Sequence, residues 1–272
     1  MLVLLPYRRH ISVGAPVKKL FLAPFIVVAT LFCATTQPAT LSEEKKEEQY
    51  NKLMAIAERG PAKQLKEQVN AMAWLKPRAQ HMTIALRIAT ECQNKEAIVA
   101  LLDLGANPNG EQPYGLPWAI TASMVCVFGV ANAIDAGEKL QTPKRNVVES
   151  VEANASMETE EVSGEEALAR AKEIFELLVA HSTTDPLCTD NEGLTLYHMA
   201  LITRAAVAGL ELQNHAETVA AITYVIETLE RDFTKRKICP ESLLKNPPAQ
   251  FTQTLAAFEA FKKQQLLARC QV

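Results

Sequence analysis

The sequence predicts an all-α fold assembled from stacked helix pairs, and three observations carry that reading. Apolar residues recur at helical spacing from Ser42 nearly to the C-terminus. Alternating β-branched runs are scarce, which leaves little room for a sheet. A helix-and-turn segment also comes back along the chain at a fixed interval, as expected of units that bury their apolar faces only against neighbours.

The elements follow in order. Ser42 to Arg59 opens with Glu43 and Glu44 in a first helical turn and stops at Gly60-Pro61; Ala62 to Ala73 makes a second, shorter helix. Together they read as an opening cap or a degenerate first unit. Asn94 to Asn109 is a short amphipathic helix with Ile98, Leu101, Leu102 and Leu104 at helical spacing. Gly105 falls where the chain can turn through a left-handed conformation, and Pro108 forbids continuation. Leu201 to Phe233 reads as a long helix pair, Pro240 to Pro248 as a connection, and Phe251 to Arg269 as a capping helix carrying Phe251, Leu255, Phe258 and Leu266.

Asn94 to Asn109 resembles the second helix and outgoing turn of an ankyrin repeat. The segment Asp190-Asn-Glu-Gly-Leu-Thr-Leu-Tyr-His-Met-Ala200 keeps Asp190, Gly193, Thr195, His198 and Ala200 at that family's Gly-x-Thr-Pro-Leu-His-x-Ala spacing. Gly115 to Ala122 keeps only the Gly and the final Ala, and Ile84 to Ala89 places Ala89 in the same slot. From Ala89 to Ala122 the interval is 122 − 89 = 33 residues, the ankyrin period; from Ala122 to Ala200 it is 78, an insertion of 78 − 33 = 45. The resemblance spans about Met72 to Phe233, and only Asn94 to Asn109 and Asp190 to Ala200 are specific. It implies an ankyrin-like helical-repeat solenoid of about three repeats, with Gly105, Gly115, Gly193, Thr195 and His198 as structural residues. In the family the His fixes the turn between repeats through hydrogen bonds with the Thr and nearby backbone.

The segment Ile174 to Pro186 resembles Ile98 to Pro108, which places most of the extra chain between the two helices of the middle repeat, at about residues 136–166. Asn146 to Glu166 holds seven glutamates and no Lys, Arg or aromatic residue. Such a composition has too little apolar surface to offset ordering entropy. It is expected to be a mobile acidic loop, a solvated linker or else a docking segment. Asn154-Ala-Ser156 is a formal glycosylation sequon.

The first forty residues have the layout of an export signal: Arg8, Arg9, Lys18 and Lys19 precede the apolar run Leu20 to Phe32, and small or polar residues follow. A run of thirteen residues is short for a span of about twenty. A cleaved signal peptide and an uncleaved anchor both remain open, and residues 41–272 form the repeat domain. Removal of the signal would leave five of six cysteines, Cys92, Cys126, Cys188, Cys239 and Cys270, so at least one has no intramolecular partner. Cys92 and Cys126 sit in helical apolar patterns, and Cys239 and Cys270 flank the terminal helix, where pairing in an oxidising compartment is an option.

A net charge of −3 gives no basic stripe, and no nucleic-acid partner is expected. Zinc-ligand spacings, a nucleophile elbow and a phosphate-binding loop are missing from the sequence, so no catalytic residue, metal or cofactor is expected. His81, His181 and His215 are isolated; a Cys188 and His198 pair is the one nucleophile-and-base combination to weigh. The expected function is binding of another protein by an exported adaptor or effector, periplasmic or secreted, or anchored through Leu20 to Phe32. Inter-repeat turns carry the candidate contacts Glu111, Gln112 and Tyr114 in one and Asn191 and Glu192 in the next. The alternatives are a membrane-tethered structural spacer and an enzyme with an unrecognised Cys or His site.

Overall fold

The computed structural model describes residues 42–72, 78–110, 117–143, 159–209 and 215–269. Ten helices and one two-stranded antiparallel sheet occupy them: α1 Glu43–Arg59, α2 Ala62–Ala71, α3 Arg78–Glu91, α4 Lys95–Asp103, α5 Trp118–Asp135, β1 Leu140–Pro143, β2 Thr159–Val162, α6 Gly164–Ala180, α7 Leu196–Gly209, α8 Ala216–Lys235, α9 Pro240–Lys245 and α10 Ala249–Arg269. The chain is thus mostly helical. Helices pair as α1 with α2, α3 with α4, α5 with α6 and α7 with α8. Each pair also packs on the next, through α1 with α3, α2 with α4, α3 with α5, α5 with α8 and α6 with α8, while α10 lies on α7.

One apolar core runs through the pairs. Leu53 and Ile56 of α1, Leu65 of α2, Leu86 of α3, Ile98 and Leu101 of α4, Ile120 of α5, Ile174, Phe175 and Leu178 of α6 and Phe233 of α8 are all buried. Each such side chain contributes about 1.5–3 kcal/mol relative to exposure.

The helix ends follow from sequence. Ser42 caps α1, accepting from the Lys45 N–H, and Ser163 caps α6, accepting from Glu166. Four helices end in the same left-handed turn, with positive φ at Gln93, Gly105, Gly137 and Lys237. At each, the following N–H reaches back five residues: Asn94 to Ala89 O, Ala106 to Leu101 O, Glu138 to Ala133 O and Ile238 to Phe233 O. This double-bonded stop satisfies the carbonyls that a helix end leaves open. Gly105, at φ 85°, occupies the turn that its position predicts.

Two expectations are corrected. Within the segment expected to be mobile across about 136–166, residues 140–143, 159–162 and 164–166 take regular structure. Leu140 pairs with Val162 and Pro143 with Thr159 in the β1–β2 ladder, and α6 begins at Gly164. Composition counted Glu165 and Glu166 toward disorder, yet in a first helical turn behind a Ser cap their charge is stabilising. The helices on either side are also long, so 163 − 136 + 1 = 28 residues separate α5 from α6 and the rest of the extra chain lengthens helices. The second correction is local: Pro240 opens α9 within the expected connection, as a proline can at a first helical turn.

Candidate functional site

The turn before α7 is built by Asp190. Its carboxylate accepts from the Glu192 N–H at 2.9 Å and the Leu194 N–H at 2.8 Å; its own N–H donates to Leu194 O at 3.0 Å, and Gly193 follows at φ 78°. This closes a tight loop that leaves Asn191 and Glu192 exposed at the tip. A short bridge between Thr189 and Thr195 clamps its base.

Behind the turn, His198 is buried and both ring nitrogens are engaged. Nδ1 accepts from the Thr195 N–H at 3.2 Å and lies 3.0 Å from Thr195 Oγ1, while Nε2 lies 3.2 Å from Leu243 O. An acceptor Nδ1 places the proton on Nε2, which donates to that carbonyl. The ring also meets Phe251 of α10 edge-on. Thr195 and His198 therefore tie the turn to α9 and α10, and no ring nitrogen is left over for proton transfer.

The neighbouring turn, after α4, is joined to the one after α6. Asn109 Nδ2 donates to Thr183 O at 2.6 Å, and its Oδ1 accepts from the Asp185 N–H at 2.8 Å. Gly110 follows with its Cα directly against α3, where a Cβ would fall 2.0 Å from Thr83 Cγ2. Glu111, Gln112, Tyr114 and Gly115 lie outside the described residues, as do Leu20 to Phe32, Trp74 and Cys270.

The thiols differ in environment. Burial pushes Cys92 well above the ordinary thiol range, with Glu58 and Glu91 adding to the effect, and pushes Cys126 up to about 12. Neither is a thiolate at neutral pH. Cys239 is exposed and donates to Glu241 Oε2 at 2.8 Å, a bond that lowers the Glu241 pKa. Among the described residues no cluster of three or more His, Cys, Asp and Glu is placed to hold a metal ion.

The feature that motif reasoning passed over is α5. Its eighteen residues carry no charge before Asp135, and it is long and apolar enough to cross a membrane by length and composition alone. Ala119, Ile120, Ser123, Met124, Val127, Val130, Ala131 and Ala133 are buried in the core. The opposite side holds Trp118, Thr121, Ala122, Val125, Phe128, Gly129 and Asn132, none of them fully buried, with Val125 42% exposed. Trp118 lies beneath the Arg87 guanidinium of α3, 4.3 Å from its ring centre. The sequence signal is the uncharged run Trp118 to Ile134, which marks a helix apolar nearly all round but not which side its neighbours leave open.

Comparison of the chain with protein-family models, with curated proteins and with solved structures finds no match.

Proposed function

We propose that this chain is a non-enzymatic protein-binding module, an ankyrin-type adaptor or effector that is exported or held at a membrane through Leu20 to Phe32. The observation that carries the reading is the two-sided α5: one side is core, and the other keeps apolar surface half uncovered, a property that marks interaction sites. Three features support the ankyrin-type part: helix pairs packed in series, the Gly105 turn, and the Thr195–His198 hydrogen bonds at the motif's own positions. The Asn191 and Glu192 tip, exposed and held by the Asp190 carboxylate, offers a second contact.

The test is capture of tagged full-length protein from its native cell by chemical crosslinking, with mass spectrometry reading the joined residues and the mature N-terminus. A polypeptide joined through the 188–192 turn or an exposed helix face is the expected result. An intact N-terminus with membrane neighbours alone would instead select the tethered spacer, which the apolar Leu20 to Phe32 run favours.

A further inference from the structure

We draw no further inference here: the strongest candidate, the half-uncovered side of α5 around Val125, belongs to the site already described, and nothing in the structure shows what covers it.

Discussion

Two joints between helix pairs meet the same demand with opposite chemistry. Where the α1–α2 pair meets α3–α4, the joint is a neutral amide. Asn94, 3% exposed, caps α4 by accepting from the Ala97 N–H and donates through Nδ2 to Ala57 O at 3.2 Å and Gly60 O at 3.1 Å. Where α5 and α6 meet α8, the joint is ionic. Asp135, at the end of α5, accepts from the Glu217 and Thr218 N–H groups and the Thr218 hydroxyl, closing the start of α8. Arg236, just past the end of α8, donates to Thr184 O, Val179 O and His181 O and pairs with Asp232 at 2.6 Å, closing the end of α6. Both joints satisfy backbone groups that a helix terminus leaves open, and each charge has the sign that suits the helix end it meets. A neutral joint makes no pH demand; an ionic joint ties the C-terminal half to protonation.

The largest expected effect is at the neutral joint. Asn94→Leu removes a cap and leaves two buried carbonyls without a donor, a loss of about 3 kcal/mol, read as a lower midpoint in urea unfolding. A loss below about 1 kcal/mol would mean that water replaces the amide. At the ionic joint, Arg236→Ala is expected to cost about 2 kcal/mol by the same measurement, because the Arg236 side chain is only partly buried and water entering its place takes over some of the bonds.

The pH contrast sharpens the comparison. Burial raises the Asp135 carboxyl, but the Thr218 and Glu217 hydrogen bonds and His215 outweigh it, so its pKa is lowered on folding. Its contribution is present above the unfolded carboxylate value of about 4 and is lost as pH falls through the lower folded value. Asp135→Asn is expected to cost about 1 kcal/mol at neutral pH and to lose its disadvantage in acid. Parallel pH curves for wild type and variant would break the assignment. The smallest effect is Gly193→Ala: the added Cβ meets Pro248 only at 3.6 Å, an ordinary contact, so the cost is that of a left-handed alanine, about 1 kcal/mol in thermal unfolding.

Periodicity made the helices legible, because Leu53, Ile56, Ile98, Leu101, Ile174 and Leu178 mark one buried side each. The turn chemistry was legible where glycine or a motif announced it, at Gly105 and at Asp190 to His198. It was silent at Gln93 and Lys237, which adopt positive φ without being glycine because the reach-back hydrogen bonds of the helix stop hold them there. The β1–β2 pairing escaped because its strands are four residues long and their side chains carry no alternation; the ladder is a backbone event. Asn94 was visible as the start of a helix, but its link to Ala57 and Gly60 joins residues far apart in sequence. The uncovered side of α5 was hidden for a related reason, since an apolar residue in the sequence does not say whether a neighbour reaches it.

The most direct test of the central claim places a photo-crosslinking amino acid at position 125 of the full-length chain in its native cell, with position 242 on the exposed side of α9 as the control. The account predicts a discrete polypeptide crosslinked from 125 and none from 242. Crosslinks to lipid alone, or the same diffuse products from both positions, would contradict it.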